Sequence, residues 1–329
     1  KTLSVITPEI DFIRIGSELS CDPSFRSRLI ENVLEACSTR REVHACIEGC
    51  RVFVGTVATF SSKTDMFRLK TFDVAIVDEA TQILEPQLLG LLCARNVAGN
   101  NAIGKFILIG DHKQLPAVVL QSESQSEVCE ECLQSIGLYN LKDSLFERLY
   151  RTVSANHSSP TTQRFYDMLC RQGRMNVEVA RFPNHAFYGG LLEAVGLPHQ
   201  QGELVLAPGL ESDEFADVLV SRVAFLPSVP ETPLQSAKIN HSEAQLTARL
   251  AAAVYRQYEA SGSGFHSALT LGVITPYRSQ IALIKREIAA LGIPVLNDIL
   301  VDTVERFQGS ERDVIIYSFC VNRVSQLKL

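Results

Sequence analysis

The sequence has no run of about 18 apolar residues, the length that spans a bilayer as a helix, and its start lacks the basic-then-apolar pattern of a signal peptide. Both absences point to an intracellular home, cytoplasmic or nuclear. A surplus of positive charge is missing too: 31 Lys and Arg face 37 Asp and Glu, for a net charge of −6. That balance argues against a protein that coats nucleic acid by bulk charge, but it leaves room for a narrow basic groove. The nine cysteines, at 21, 37, 46, 50, 93, 129, 132, 170 and 320, lack the dense spacing of a secreted disulfide scaffold, so reduced thiols are expected. Cys129 and Cys132 stand at zinc-ligand spacing. No second CxxC accompanies them and only the distant His157 could assist, which makes a metal site there the weaker reading.

With 329 residues, 46% of them hydrophobic, the chain has material for two domains with real cores. Residues 1–50 read mostly as helix and loop, with Phe25, Leu29, Val33 and Leu34 at helical spacing. From residue 51 short β-rich runs appear at 51–57, 72–78 and 105–111, apolar on both faces as in buried parallel strands. Segment 81–95 is long enough for a crossover helix, and a further helix is expected at 141–150. Polar stretches at 121–132 and 152–163 suggest a boundary near residue 155. The second half repeats the pattern, with strands at 269–274, 298–303 and 313–319 and helices at 243–259 and 278–291. Residues 195–235 are Pro-rich and acidic and carry little signal. The fold class expected is α/β, with polar residues that directly follow each strand lying at the ligand-binding edge of a parallel sheet.

Chemistry first becomes visible at Asp78-Glu79-Ala80-Thr81, after the apolar strand at 72–77. One carboxylate there could hold Mg²⁺ through water while its neighbour polarises the water that attacks a γ-phosphate. Acidic residues at strand ends also cap helices or simply meet solvent, so this pair alone does not decide. The next strand ends in Gly110-Asp111-His112-Lys113-Gln114-Leu115-Pro116. DEAT followed about 30 residues later by GDHKQLP, each on a buried strand, resembles motifs II and III of the superfamily 1 helicases.

That resemblance implies two RecA-like domains with parallel sheets flanked by helices: a helical lead-in at 1–50, a first domain at 51–155 and a second at 156–329. It implies ATP and Mg²⁺ as cofactors, Asp78 as the metal residue, Glu79 as the residue acting on water, and Gln114 as a γ-phosphate contact. SLFERL at 144–149 is similar to the helix after motif III. Gln172-Gly173-Arg174-Met175 stands at motif IV, where Gln172 would meet nucleotide and Arg174 would act as an arginine finger; a surface salt bridge is the plainer role for Arg174. Gly173 replaces the family's usual tyrosine, an aromatic that packs on adenine, so base stacking by that residue is lost.

Further matches follow in the family's order. Asn240 and Glu243 resemble a family signature, though helix capping explains them equally well. ITPYRSQ at 274–280 looks like the turn before motif V, with Pro276 and Tyr277 toward the strand. DTVERFQGSERD at 302–313 resembles motif V. There Thr303 would contact the nucleic-acid backbone, Gln308 and Gly309 would shape the turn near the phosphates, and Glu311 would reach the nucleotide sugar. GTVATF at 55–60 is similar to motif Ic, which would put Thr56 and Thr59 on single-stranded nucleic acid; a plain buried strand end is the alternative reading.

No GxxxxGK[ST] loop occurs in the chain, and the sequence stops before the family's motif VI would appear. A fragment of a longer helicase, unable as given to turn over ATP efficiently, is therefore expected. The leading reading is an ATP-dependent helicase or translocase of the nonsense-mediated-decay and DNA-replication type. Its track is single-stranded DNA or RNA, and a 5′-to-3′ direction is implied by the resemblance alone. The runner-up is a catalytically silent helicase-like scaffold or nucleic-acid clamp. A metabolic P-loop kinase shares the architecture, but GDHKQLP and the ERFQG loop speak against it.

Overall fold

The computed structural model describes residues 10–155, 165–230, 236–323 and 326. The chain divides into two compact units, Lys1–Met168 and Leu169–Leu329, whereas the sequence suggests a division near 155. The core of that polar stretch, with His157, lies outside the described residues.

In the first unit β1 (Phe12–Ile15) pairs in parallel with β2 (Val52–Gly55). The described part of 1–50 is otherwise helix and loop, so this short strand is the one element there that the sequence did not suggest. FIRI is too short to display a period and carries Arg14 in its middle. Even so, Ile13 and Ile15 are buried, and the Arg14 guanidinium turns out to donate to the Ser20 carbonyl at 3.1 Å. The helical spacing after it is also broken. Pro23–Arg28 is a 3-10 turn and only Ile30–Glu35 is α-helical, because Leu29 between them is extended. The first full helix is α1 (Arg40–Gly49), closed at its start by a capping box of Thr39 and Glu42.

Strand β2 stops at Gly55, two residues earlier than the sequence suggests. Thr56 caps α2 (Val57–Ser62) instead, its hydroxyl accepting from the Thr59 N–H at 3.2 Å. Glycine is required at 55, since a Cβ there would sit 2.7 Å from the Ile15 carbonyl oxygen.

Strands β3 (Phe72–Val77) and β4 (Ile103–Leu108) form a second parallel pair. The crossover between them contains α3 (Glu85–Leu92), shorter than the expected 81–95 because Pro86 belongs to its first turn. Helix α4 (Leu145–Ser154) begins later than expected because Ser144 caps it, accepting from the Glu147 N–H at 3.1 Å. Ile15, Phe67, Val77, Leu88 and Leu91 are among the buried residues of one core. Each such side chain contributes roughly 1.5–3 kcal/mol by leaving water. The expectation that these strands are buried on both faces needs correction. Val74, Ile76, Ile107 and Ile109 are exposed, Ile76 by 66%, so one face of the β3–β4 pair is open among the described residues.

The second unit opens with β5 (Arg171–Gln172) parallel to β6 (Glu193–Ala194), with α5 (Val177–Phe187) between them. Its main sheet has the order β8-β7-β9, all parallel, from β7 (Leu271–Ile274), β8 (Leu300–Asp302) and β9 (Val314–Tyr317). Helix α6 (His241–Ala260) buries Ala244, Ala248, Ala251 and Ala252, whose small side chains allow close approach. Helix α7 (Arg278–Ala290) adds Leu283, Ile284 and Ile288 to the same core. The whole is a mixed α/β chain with small parallel sheets, in which the strand ends carry the functional candidates.

Candidate functional site

Asp78 and Glu79 follow directly on β3 and are exposed. Glu79 is left-handed, with φ of 50°, a conformation costing a non-glycine residue about 1–3 kcal/mol. Its N–H donates to Asp78 Oδ1 at 3.0 Å, and its Oε2 accepts from Gln82 Nε2 at 2.9 Å. The strand continuing from β4 is drawn against this turn. The Ala80 N–H donates to the Ile109 carbonyl at 2.7 Å and the Ile109 N–H to that of Val77 at 2.8 Å. Gly110 makes the contact possible, since a Cβ there would lie 3.0 Å from the Thr81 nitrogen and Cγ2. Beyond it Asp111 organises the next turn, accepting from the Lys113 N–H and from Gln114 Nε2, each at 2.9 Å. Asp78, Glu79 and Gln114 therefore stand on two turns at one sheet edge.

Sequence reasoning passed over His112, whose ring lies 4.4 Å from that of Tyr150. Burial first, and then the charge of Lys113, hold its imidazole below the usual histidine range, against the opposing pull of Asp111 and Glu147. Thr56 and Thr59 share a hydroxyl contact of 2.7 Å, so their first task is to cap α2.

In the second unit Gln172 folds the QGRM segment onto itself. Its Oε1 accepts from the Arg174 N–H at 3.0 Å and the Met175 N–H at 2.8 Å, while Nε2 donates to the Met175 carbonyl at 2.9 Å. The fully buried Gln200 holds the turn from behind, donating to the Gln172 carbonyl at 2.9 Å. Where the aromatic is missing, the Gly173 carbonyl lies 2.8 Å from His199 Nε2. The turn presents Arg174 to Glu311, Nε to Oε2, at 3.0 Å. Gln200 and His199 could not be found from sequence, because they lie over 20 residues from the turn they hold, with no motif of their own.

Pro276, Tyr277 and Thr303 gather at the C-terminal edge of the three-stranded sheet. The Thr275 N–H donates to the Asp302 carbonyl at 3.1 Å and the Ser318 N–H to that of Ile274 at 2.8 Å. Pro276 is exposed and Tyr277 half-buried. Thr303 begins α8 (Val304–Phe307), and its hydrogen bond to Glu305, followed by backbone bonding, holds that carboxyl below the usual range. Gly309 adopts a φ of 73°, the left-handed turn that glycine permits. Residues 303–311 thus carry Thr303, Gly309 and Glu311 on one loop.

Among the described residues no group of three His, Cys, Asp or Glu is placed to hold a metal, and Cys129 and Cys132 are exposed free thiols. Asp78 and Glu79 nonetheless offer exposed carboxylate oxygens, the donors suited to Mg²⁺ that keeps most of its water. No helix among the described residues is long and apolar enough to cross a membrane.

Comparison with known proteins agrees with the motifs. A family model described as AAA domain matches residues 141–327, and a second of the same description matches residues 24–122. The chain is similar to the DNA replication ATP-dependent helicase/nuclease of Xenopus laevis, 27% identical over an alignment of 327 residues that covers 94% of this chain and 27% of the relative. It is similar to the DNA polymerase alpha-associated DNA helicase A of Saccharomyces cerevisiae, 27% identical over 75% of this chain and 33% of the relative. An uncharacterized ATP-dependent helicase of Methanocaldococcus jannaschii is 27% identical over 89% of this chain and 37% of the relative. The chain thus spans little more than a third of these relatives' length at most. One of the two models covers more than half of the 329 residues, and the helicase motifs stand in order along them; the chain belongs to the AAA-domain family of that model, and its motifs and relatives are those of a superfamily 1 helicase.

Proposed function

We propose that this chain forms the body of an ATP-dependent helicase or translocase that moves along single-stranded nucleic acid, using two RecA-like domains, one in each compact unit. The observation that carries the proposal is the packing of Gly110 against Thr81, which sets Asp78, Glu79 and Gln114 together at one sheet edge. In this reading Asp78 would hold Mg²⁺, which when bound would neutralise phosphate charge. Glu79 orients and deprotonates the attacking water, and Gln114 senses the γ-phosphate. Arg174 places its guanidinium on developing phosphate charge, with Gln172, Gly309 and Glu311 shaping the nucleotide side of the second unit. Thr56, Thr59, Pro276, Tyr277 and Thr303 contact the strand. The names of the relatives favour DNA as the track, with RNA the alternative, and an intracellular setting; the 5′-to-3′ direction rests on the motif resemblance alone.

The test is steady-state ATP turnover by the full-length gene product, with and without single-stranded DNA or RNA, beside its Glu79→Gln variant. Strand-stimulated turnover that the variant lacks is the expected result. Absence of turnover with either strand would overturn the motor and leave a helicase-like clamp.

A further inference from the structure

The first turn of α6 carries a carboxylate that the catalytic reading does not use. Glu243 is 8% exposed. Instead of closing a capping box, it reaches across to the chain leaving β9. There it accepts from the Ser318 hydroxyl and the Cys320 N–H, each at 2.8 Å, and from the Ser228 hydroxyl at 3.4 Å. Cys320 is fully buried and left-handed, with φ of 55°, a conformation that needs fixing from outside when the residue is not glycine.

Beside it, buried Asn240 caps α6, its Oδ1 accepting from the Glu243 N–H at 2.8 Å. Asn240 also trades hydrogen bonds with buried Gln280 of α7: its N–H donates to Gln280 Oε1 at 2.9 Å, and Gln280 Nε2 donates to its carbonyl at 3.1 Å. Asn240 Nδ2 then donates to Asn322 Oδ1 at 2.9 Å. The start of α6, the first turn of α7 and the segment after β9 are thereby tied into one polar knot.

Pro276 and Tyr277 lie between the knot at Gln280 and the sheet edge at Thr275, where the Thr275 N–H is bonded to Asp302. Both ends of that short loop are fixed, one by the sheet and one by the knot. The partners of Glu243 are chiefly hydrogen-bond donors, so truncation would strand the Cys320 N–H and the Ser318 hydroxyl in a buried site.

We infer that Glu243, with Asn240 and Gln280, is a positioning residue: it holds the Pro276–Tyr277 loop and the 318–322 segment in register to receive a single strand, without touching that strand itself. The inference rests on the strand-binding reading proposed above.

The experiment is fluorescence anisotropy of labelled oligothymidylate and oligouridylate of about 20 nucleotides with this chain, its Glu243→Ala and Glu243→Gln variants and Tyr277→Ala, together with amide hydrogen exchange. In Glu243→Ala, strand affinity falls about tenfold, the scale of losing one stacking contact with the strand. Exchange quickens at 275–280 and 318–322 while 248–254 and 283–288 keep their protection. Glu243→Gln keeps an acceptor oxygen and stays within about threefold of wild type. Unchanged affinity in Glu243→Ala, beside a loss in Tyr277→Ala, would overturn the positioning role alone. Exchange that quickens throughout the second unit would reduce Glu243 to a stabilising residue and overturn it as well. A wild-type chain that binds neither strand would sink the strand-binding reading first, and the inference with it.

Discussion

Arg174 Nε donates to Glu311 Oε2 at 3.0 Å, joining segments that stand 137 residues apart in sequence. Both side chains are about two-thirds exposed, and ion pairs in water contribute little to stability. The pairing matters instead because it holds a guanidinium at the mouth of the 303–311 loop. In the full-length gene product, Arg174→Ala is expected to lower kcat by about 10³-fold or more while the melting temperature stays within about 2 °C of wild type. Turnover and thermal unfolding measured on the same preparation decide it. A kcat that falls only a few-fold would return Arg174 to the role of a surface ion pair.

A different outcome is expected for Arg148 and Glu85. Their side chains are 11% and 10% exposed, and the pair is bidentate, with Nε to Oε2 at 2.7 Å and the second nitrogen to Oε1 at 2.6 Å. Arg148 also donates to the Ile136 carbonyl at 2.8 Å. Removing either partner leaves the other charge buried, so Arg148→Ala or Glu85→Ala should cost about 3–5 kcal/mol of unfolding free energy. Replacing both with apolar residues of similar volume should recover most of the loss. Urea denaturation of the singles and the double tests this, and additive losses would contradict it.

The contrast between these two pairs marks what sequence could and could not deliver. Strand positions were legible because apolar runs followed by Asp78 or Asp111 carry their own signal, and the structure keeps them within a few residues. The open face of β3 and β4 was not legible, because a run such as FDVAIV looks the same whether one face is covered or two. Arg148 sat inside a recognisable helix, yet its partner Glu85 is 63 residues away and nothing local announces it. Glu243 shows the same limit. Its spacing from Asn240 suggests a cap, and Asn240 is one, but the carboxylate is spent on Ser318 and Cys320, more than 70 residues on. Local chemistry is written in short spacings, while burial and long-range polar partners depend on how the segments return.

Alkaline pH offers a third test, through Tyr258. Burial first, and then the charge and hydrogen bond of Asp313, push its phenol up from 10.0 to about 12. A group raised in the folded state contributes stability that is complete below the unfolded value and is lost as pH climbs toward the folded one. The unfolded chain gives up this proton first, so stability should fall between about pH 10 and pH 12. Since Tyr258 is only half-buried, solvent screening makes the loss smaller than the full shift implies. Tyr258→Phe should show a shallower decline across that window in urea unfolding. Parallel declines in variant and wild type would mean that other groups carry the alkaline dependence.

Gly272 of β7 supplies the fourth. A Cβ there would lie 2.4 Å from Phe307 Cε1 and 2.9 Å from Cζ, closer than real side-chain contacts allow. Phe307 belongs to the ERFQG segment, between Thr303 and Gly309, and the Arg312 guanidinium lies 6.0 Å from its ring centroid on the face. Bare backbone at 272 therefore seats the loop by letting the ring lie against the sheet. Gly272→Ala must drive the ring outward and should cost about 1–3 kcal/mol by overpacking. Strand affinity should fall as Thr303 shifts with the loop. Phe307→Leu, which vacates the space that the new methyl needs, should make the double variant more stable than the sum of the two single losses allows. Strict additivity in urea unfolding would show that Phe307 moves aside freely, and that β7 does not fix the loop.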